Sequence, residues 1–215
     1  MPERFAIYFA PATGSALAER AGAWLARPEL GALTVSARRY GFHATLKAPM
    51  ELPAGTSRAG FAAALAAFAG RTAPVALGRL TARLLDGFLA LTPVPQPPTV
   101  TEFAAKVVQD FEDFRAPLGA DERARRLKAP LSPRQIELVD RYGYPYVLEE
   151  FLFHMTLTDR LPPERQEELV GKARGWFADA LAEPIRLDRL VLFREPEPGA
   201  AFVRLDDYVL KGTEK

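Results

Sequence analysis

Hydrophobic and polar positions follow regular spacings along this chain, and the spacing changes from one segment to the next. In RFAIYFA, Phe5, Ile7 and Phe9 alternate with their neighbours, which is typical of a strand. Over residues 17–25, apolar side chains recur at helical spacing, and Pro28 ends the pattern. The chain is therefore predicted to open with a strand followed by a helix.

A strand, a helix and a hairpin are predicted next. The strand is RRYGFHATLKAPMEL, residues 38–52, and Ser57 is placed to cap the helix that follows it. Leucine and phenylalanine residues recur on one face of that helix. Asp86 and Gly87 between two apolar runs then indicate a two-residue hairpin turn.

Four prolines within residues 93–100 interrupt the chain, because proline fits neither a central strand nor a helix interior. Thr99 and Glu102 match a capping box that would open the next helix. Residues 116–130 are predicted to be irregular and basic. The segment 132–143 has the proline and the glycine expected at the two ends of a short helix.

The last third of the chain repeats the strand, helix and hairpin. FLFHMTLTD, residues 151–159, is predicted as a strand, residues 162–183 as a helix, and residues 196–199 as the turn of a hairpin. In both copies the hairpin turn lies at nearly the same distance along the chain from a histidine. This order indicates a duplicated strand-helix-hairpin unit and an α+β fold.

The duplication predicts a single bilobal domain over residues 1–215, a length that allows a sizeable core. Lobe 1 is expected at about 1–92 with a linker at 93–100, and lobe 2 at about 101–215 with an insertion at about 116–147.

The chain has two histidines, and each opens the same motif, H-x-T-L, as HATL and HMTL. Side chains at positions i and i+2 of a strand share a face, so His43 stands beside Thr45 and His154 beside Thr156. The same alternation adds Lys47 to the first of these faces. Two copies that pack about a pseudo-twofold axis would turn both pairs towards one cleft.

Two facing imidazoles suit acid-base catalysis, because an ordinary pKa near 6.5 lets one ring be neutral and the other protonated near pH 7. The two hydroxyls can donate hydrogen bonds to phosphate oxygens, and Lys47 or a nearby arginine can offset the phosphate charge. The motifs therefore predict cleavage of a phosphodiester, most easily a strained cyclic one. No metal or other cofactor is expected, since two histidines with threonines and no cysteine form a poor ligand set.

Several segments carry a resemblance to a known family: RFAIYFAP, RRYGFHATLKAP, FRAPL, YGYPYV and FHMTLTDRL. They resemble the 2H phosphoesterase superfamily, typified by RNA 2′,3′-cyclic phosphodiesterases and RNA 2′-5′ ligases. Within it they are similar to an uncharacterised branch often encoded beside phosphonate-utilisation genes. The resemblance implies antiparallel sheets around a central groove and His43 and His154 as the acid-base pair. It also implies that Thr45 and Thr156 bind phosphate.

Arg39 and Lys47 are further candidates for phosphate binding near the first motif. The role of Lys47 follows from strand alternation alone. Arg39 shares the face of His43 only if the strand register holds through Gly41, where a bulge would upset it.

Tyrosines and basic residues of the predicted insertion are open to two interpretations each. Tyr146 is a candidate for the phosphate site, and with Tyr142 and Tyr144 it either stacks on a base or sugar or packs the insertion onto the domain. The basic run either steers a phosphate or forms a solvated face, which is the favoured interpretation. That run consists of Arg123, Arg125, Arg126 and Lys128.

Charge and composition narrow the range of ligands and compartments. With 28 Lys and Arg against 27 Asp and Glu, the net charge of +1 counts against a long RNA ligand. The absence of cysteine excludes disulfides and a cysteine nucleophile. No apolar run is long enough to span a bilayer, so a soluble cytoplasmic chain without membrane contact is expected.

Hydrolysis of a small cyclic phosphodiester, either a ribosyl or a nucleoside cyclic phosphate, is the favoured function. This small molecule is the expected partner, RNA ends are an alternative ligand, and no obligate protein partner is expected. Two alternatives stay open. One is a non-catalytic module that grips RNA ends or a nucleotide, and the other is an RNA 2′-5′ ligase-like reaction.

Overall fold

The computed structural model describes residues 3–213, which form three antiparallel sheets flanked by helices. The strands are β1 (Arg4–Phe9), β2 (Ala44–Met50), β3 (Val75–Gly78), β4 (Leu80–Leu85), β5 (Phe88–Pro93), β6 (Met155–Arg160), β7 (Ile185–Leu187), β8 (Arg189–Glu195) and β9 (Val203–Val209). The α-helices are α1 (Ala16–Leu25), α2 (Val35–Tyr40), α3 (Arg58–Arg71), α4 (Pro98–Asp110), α5 (Ala120–Arg126), α6 (Pro133–Tyr142) and α7 (Pro163–Phe177). The predicted α+β class and the duplicated strand-helix-hairpin order are confirmed.

The two hairpins are exchanged between the halves of the chain. The hairpin β8–β9 follows the second histidine motif, yet it pairs with the first strands in the order β2-β1-β8-β9. The hairpin β4–β5 precedes that motif, yet it joins β6 in the order β4-β5-β6. The lobes predicted at about 1–92 and 101–215 therefore do not coincide with the sheets, because each of these two sheets takes strands from both halves.

The third sheet joins equivalent positions of the two copies. β3 and β7 each lie between the helix and the hairpin of one copy, and they pair with each other, with Val75 opposite Leu187. Pairing between equivalent strands is what a pseudo-twofold axis produces.

Helix ends follow local sequence signals in two of the predicted helices. The hydroxyl of Ser57 accepts a hydrogen bond from the backbone N–H of Gly60 at 3.0 Å and so caps α3. Ser132 and Gln135 form both bonds of a capping box at the start of α6. Gly143, with φ of 74°, ends α6 in the left-handed region, as predicted.

Three segments differ from their predicted structure. α4 begins at Pro98, a residue suited to the first helical turn, so the capping box predicted at Thr99 lies inside the helix. Residues 120–126 of the segment predicted to be irregular form α5. Residues 38–40, predicted as strand, belong to α2, and Gly41 separates that helix from β2 with φ 74° and ψ 171°.

The helices pack across both large sheets and join them through one main core. α1 and α7 lie against β4, β5 and β6, α3 against β8 and β9, and α4 against β2 and β3. Phe5, Ile7 and Phe9 are buried in the main core, as the strand alternation predicts. Trp24 of α1 donates its Nε1 hydrogen bond to the carbonyl oxygen of Leu157 in β6 at 3.1 Å. The N-terminal helix is thus fixed to the strand of the second histidine motif.

Candidate active site

The two histidines lie at equivalent positions, each one residue before a strand. His43 precedes β2, and its Nδ1 lies 2.8 Å from the carbonyl oxygen of Gly41. His154 precedes β6, and its Nδ1 lies 2.8 Å from the carbonyl oxygen of Leu152. A carbonyl oxygen only accepts hydrogen bonds, so Nδ1 carries the proton of each neutral ring. Nε2 is therefore the nitrogen of each ring that can take up a second proton.

The ring of His43 is enclosed by aromatic and polar neighbours. It stacks on Tyr8, with ring centroids 3.7 Å apart and an angle of 18° between the planes. Its Nε2 lies 3.2 Å from the hydroxyl oxygen of Thr45. Burial lowers the pKa of His43 to about 4; the hydrogen bond to Gly41 opposes this shift and the charge of His154 adds to it.

The ring of His154 has a similar but less perturbed environment. Phe88 approaches it edge-on, with centroids 5.6 Å apart. Burial lowers the pKa of His154 from its ordinary value, and the hydrogen bond to Leu152 opposes this shift. Both rings are therefore neutral near pH 7 when no ligand is bound, and His43 is the harder of the two to protonate.

Both histidine motifs line one cavity of about 900 Å³. His43 and Thr45 reach it from the start of β2, and His154 and Thr156 from the start of β6. The two predicted pairs are thus brought together by the fold, while their catalytic and phosphate-binding roles stay predictions. Arginines line the cavity as well: Arg4, Arg39, Arg115, Arg125 and Arg126.

Lys47 lies outside this cavity, and its predicted place on the face of Thr45 is wrong. Tyr8 of β1 pairs with Thr45, but the next residue of β1, Ile7, pairs with Lys47. β2 therefore has a bulge between Thr45 and Lys47, and a bulge breaks the alternation of faces. Lys47 turns to the core side of the sheet, where Ile7 also lies.

The buried Lys47 has protein partners there. It is 3% exposed, and its Nζ donates to the carbonyl oxygen of Val108 at 2.9 Å and to Oε2 of Glu112 at 2.8 Å. Burial lowers the pKa of Lys47, and the hydrogen bond to Glu112 opposes this shift. Glu112 also pairs with Arg115, so the one carboxylate holds two cations beside β2.

Arg39 lines the cavity, although not for the predicted reason. It belongs to α2, so strand alternation through Gly41 does not apply to it. Its guanidinium contacts the carboxylate of Glu195, and its Nε donates to the carbonyl oxygen of Ala200 at 3.1 Å.

The tyrosines of the predicted insertion divide between the cavity and the surface. Tyr142 and Tyr144 line the cavity, whereas Tyr146 does not and is 45% exposed. The predicted position of Tyr146 at the phosphate site is therefore wrong. Tyr146 packs edge-on against Tyr144, with centroids 5.5 Å apart. Burial raises the pKa of Tyr144 to about 12, although the charge of Arg126 opposes the shift.

The sequence patterns did not single out three residues at the site: Arg4 and Tyr8, which line the cavity, and Glu195, which is buried behind Arg4 and Arg39. Glu195 is 0% exposed and accepts hydrogen bonds from Nε of Arg4 at 2.5 Å and from the backbone N–H of Gly199 at 3.0 Å. Burial alone would raise the pKa of Glu195, but Gly199, Arg4 and Arg39 outweigh it and the pKa is lowered. Alternation in β1 already placed Tyr8 on the face opposite the core phenylalanines, which was the one available signal.

The basic run of the predicted insertion is divided between two environments. Arg125 and Arg126 line the cavity and share the carboxylate of Glu122. Arg123 instead pairs with Asp140 at 2.6 Å and is not part of the cavity lining. The solvated-face interpretation therefore fits Arg123 but not Arg126, whose side chain is 16% exposed.

Within residues 3–213, no three or more His, Cys, Asp or Glu side chains are grouped so as to hold a metal ion. Over the same residues, no helix has the length and apolarity needed to cross a bilayer. A ligand in the cavity would be surrounded by imidazole, hydroxyl and guanidinium groups.

A family model described as "Protein of unknown function (DUF1045)" matches residues 45–203. The chain belongs to the DUF1045 family. Two curated relatives are both named "Ribose 1,5-bisphosphate phosphokinase PhnN". The protein from Janthinobacterium sp. (strain Marseille) is 37% identical over 222 residues, and that from Laribacter hongkongensis (strain HLHK9) is 36% identical over 214 residues. Each match covers 93% of this DUF1045 chain but 49% and 50% of the relative, so the chain spans about half their length.

Solved structures resemble this DUF1045 chain at low sequence identity. TT0787 of Thermus thermophilus matches with a TM-score of 0.51 and 15% identity, covering 98% of this chain and 100% of TT0787. LigT of E. coli, solved in complex with NADP+, matches with a TM-score of 0.47 and 16% identity, covering 98% and 99%. The likeness to TT0787 shows the fold alone, and the predicted 2H phosphoesterase-type fold is confirmed.

Proposed function

We propose that this DUF1045 chain is a 2H-type phosphoesterase that hydrolyses a small cyclic phosphodiester by proton transfer at its two histidines, without a metal. One observation carries the proposal: both His-Thr pairs line one cavity, and a backbone carbonyl holds Nδ1 of each ring. In the free chain the hydroxyl of Thr45 donates to Nε2 of His43, and in the proposed complex it turns to the phosphate and leaves both Nε2 atoms for proton transfer.

His43 is the base in the proposed reaction and His154 is the acid. His43 has the pKa of about 4 and stays neutral, so its Nε2 takes a proton from water as the water oxygen bonds to phosphorus. The bond from phosphorus to one ring ester oxygen breaks, and that oxygen takes a proton from Nε2 of His154. The charge of the bound phosphate favours the protonated form of His154. The product is an open phosphomonoester with a free hydroxyl group.

The threonines and one of the cavity arginines would stabilise the negative charge that develops on the phosphate. Thr45 and Thr156 would donate hydrogen bonds to the non-bridging oxygens, whose negative charge grows in the transition state. Arg39, held by Glu195, would offset that charge from α2.

A ribosyl cyclic phosphate is the favoured substrate. The curated relatives are named for a ribose 1,5-bisphosphate phosphokinase, and this chain spans about half of their length. Opening a cyclic phosphate on ribose yields a ribose phosphomonoester, which is the class of compound in that name. The resemblance to a branch encoded beside phosphonate-utilisation genes supports a role in phosphonate metabolism.

Turnover of a panel of ribose cyclic phosphates and nucleoside 2′,3′-cyclic phosphates in the presence of EDTA tests the proposal. We expect wild-type turnover to persist, and kcat to fall about 10²- to 10⁴-fold in His43→Ala and in His154→Ala. Thr45→Val and Thr156→Val should each lower kcat about 10²-fold, because each removes one donor to the developing charge. Thr13→Val, at an exposed position outside the cavity, is the matched control.

Several results would overturn the proposal. Undiminished turnover in either histidine variant, or loss of wild-type turnover in EDTA, contradicts the mechanism. Tight RNA binding with a steep salt dependence and no turnover would instead indicate a binding module. Formation of 2′-5′ linkages from RNA ends would indicate the ligase direction.

The pH dependence of kcat/KM tests the two roles, since it reports the pKa values of the free enzyme. We expect the rate to rise as His43 loses its proton near pH 4 and to fall as His154 loses its proton below pH 6.5. The optimum should therefore lie on the acidic side of neutrality. An optimum above pH 7 contradicts the lowered pKa values.

A further inference from the structure

Two arginines from different halves of the chain line the same cavity. Arg4 lies at the start of β1 and Arg126 at the end of α5, and both line the cavity. Their side chains are 19% and 16% exposed, so both are largely withdrawn from water. Burial lowers the pKa of Arg126, and the positive charge of Arg4 adds to the lowering. Both guanidinium groups therefore face one cavity with little exposure to bulk water.

Each carboxylate beside these arginines is shared by two guanidinium groups. The groups are Arg4 and Arg39 around Glu195, and Arg125 and Arg126 around Glu122. Each pair of arginines carries two positive charges and shares one negative charge, so positive charge is in excess at both pairs. An anion placed between the pairs would relieve that excess.

Arg4 and Arg126 each keep a donor for such an anion. Arg4 contacts Glu195 through Nε and Nη2, and Arg126 contacts Glu122 through Nε at 3.1 Å and Nη2 at 3.0 Å. For neither residue does Nη1 have a hydrogen-bond partner among residues 3–213. The guanidinium carbon of Arg126 also lies over the ring of Tyr144, 5.7 Å from the ring centroid. Two fixed guanidinium groups with free N–H donors suit the tetrahedral oxygens of a phosphate.

We infer that Arg4 and Arg126 form a second anion subsite, which binds a phosphomonoester group of the substrate while the histidines act on the cyclic phosphodiester. The inference rests on the proposed function and narrows its substrate class to cyclic phosphates that carry a further phosphate. The cavity of about 900 Å³ has room for both groups. Glu51 and Asp121 also line it and repel an anion, so the second phosphate binds beside the arginines.

A matched pair of substrates tests the subsite: a nucleoside 2′,3′-cyclic phosphate with and without a 5′-phosphate. For the wild type we expect kcat/KM to be about 10- to 100-fold higher with the 5′-phosphate, the range expected of charge-assisted hydrogen bonds. In Arg126→Gln the ratio of the two values should fall towards one. Arg126→Lys keeps the charge but not the planar fork and should give an intermediate ratio. Arg123→Gln alters the same helix outside the cavity and should keep the wild-type ratio.

A wild-type ratio near one, or an unchanged ratio in Arg126→Gln, overturns the inference. If Arg126→Gln does not fold, a ratio in Arg126→Lys equal to that of the wild type overturns it instead. Circular dichroism establishes which variant is folded.

A binding measurement separates the subsite from the proposed hydrolysis. By calorimetry we expect the wild type to bind a nucleoside 2′,5′-bisphosphate at least tenfold more tightly than the 2′-monophosphate, and Arg126→Gln to lose this difference. If that difference is found without turnover of any cyclic phosphate, the subsite stands and the proposed hydrolysis fails. If cyclic phosphates are turned over but the difference in affinity is absent, the proposed hydrolysis stands and the subsite fails.

Discussion

His43 and Lys47 lie four residues apart, and burial lowers the pKa of both, but the protein keeps them in different charge states. His43 stacks on Tyr8 at the cavity and is neutral near pH 7. Lys47 faces the core and is paired with the carboxylate of Glu112. Burial penalises the charged form of both groups, and only Lys47 has an opposite charge to offset the penalty. The ionisation of each residue is therefore linked to folding.

Because the pKa of His43 is lowered by folding, the free energy of unfolding is expected to decrease as the pH falls from 6.5 towards 4. The pKa of His43 is about 4 in the folded chain and near 6.5 when unfolded, so the unfolded chain takes up the proton first. Stability that is present above pH 6.5 is lost as the pH falls, by an amount on the order of 3 kcal/mol. Urea unfolding at pH 7 and at about pH 4.5 should show a smaller decrease in His43→Gln than in the wild type. An equal decrease in stability in the wild type and in His43→Gln would mean that groups other than His43 cause the pH dependence.

Removal of the charge of Glu112 should destabilise the fold strongly. Glu112→Gln leaves the buried ammonium of Lys47 without its counter-charge, and we expect a loss of roughly 3 kcal/mol in the free energy of unfolding. The matched control is Glu137→Gln, which breaks an exposed ion pair with Arg134 and should cost less than about 1 kcal/mol. Urea unfolding measures both variants. Lys47→Met in the Glu112→Gln background should recover part of the lost stability. If Glu112→Gln and Glu137→Gln cost the same, the stabilising role of the Lys47–Glu112 pair is contradicted.

At the scale of single elements, both histidine strands lose their polar face directly after the threonine. In β2 a bulge follows Thr45, and in β6 the pairing with β5 shifts after Thr156. Thr158, two residues further along β6, is buried, and its hydroxyl accepts a hydrogen bond from the backbone N–H of Leu89 at 3.0 Å. One end of each strand thus supplies the site and the rest supplies the core, because an irregular register changes which face a side chain occupies.

The turn between α2 and β2 is expected to tolerate only glycine. Gly41 has φ 74° and ψ 171°, a conformation that side chains rarely adopt, and its carbonyl oxygen holds Nδ1 of His43. A Cβ at this position would meet only Phe193, at 3.7 Å, so Gly41→Ala should cost about 1–3 kcal/mol through backbone strain rather than through a clash.

The variant should also lower turnover of cyclic phosphates, because a shifted carbonyl no longer orients the histidine ring. Gly22→Ala in α1 is the control, since nothing lies within 4 Å of the added Cβ there and alanine favours a helix by roughly 0.5–1 kcal/mol. Thermal unfolding and kcat are measured together. A Gly41→Ala protein with wild-type stability and turnover would show that the turn does not position the histidine.

At the scale of the whole molecule, the exchange of hairpins makes each half depend on the other. The first half contains β4 and β5 without their partner β6, and β1 and β2 without their partner β8. The cavity likewise combines Thr45 from the first half with Thr156 from the second. Neither half of the chain completes a sheet or the site.

Fragments 1–95 and 96–215 are therefore expected not to fold alone. Each would expose the edges and apolar faces of incomplete sheets, so neither should show a cooperative urea transition by circular dichroism. When mixed in equal amounts, the two should recover a single transition. A cooperative transition of fragment 1–95 on its own would mean that the contiguous lobes predicted from the sequence fold independently.

Local patterns predicted most elements because caps, turns and alternation act over a few residues. Ser57 and Gly143 mark helix ends as expected, and the alternation of β1 places its phenylalanines in the core. The same reasoning missed α2, whose six residues are too short to show a helical stripe. It also extended alternation to Lys47, since a bulge leaves no mark in the pattern.

The sequence by itself determined the two His-Thr pairs, the duplicated order of elements and the α+β class, because these depend on spacing along the chain. Only the tertiary structure decided which hairpin joins which sheet, and which side chains surround the histidines. Arg4 and Glu195 meet across 191 positions of sequence, and Arg126 reaches the cavity from a segment predicted to be irregular. Such contacts join residues that are distant along the chain, and no local pattern records them.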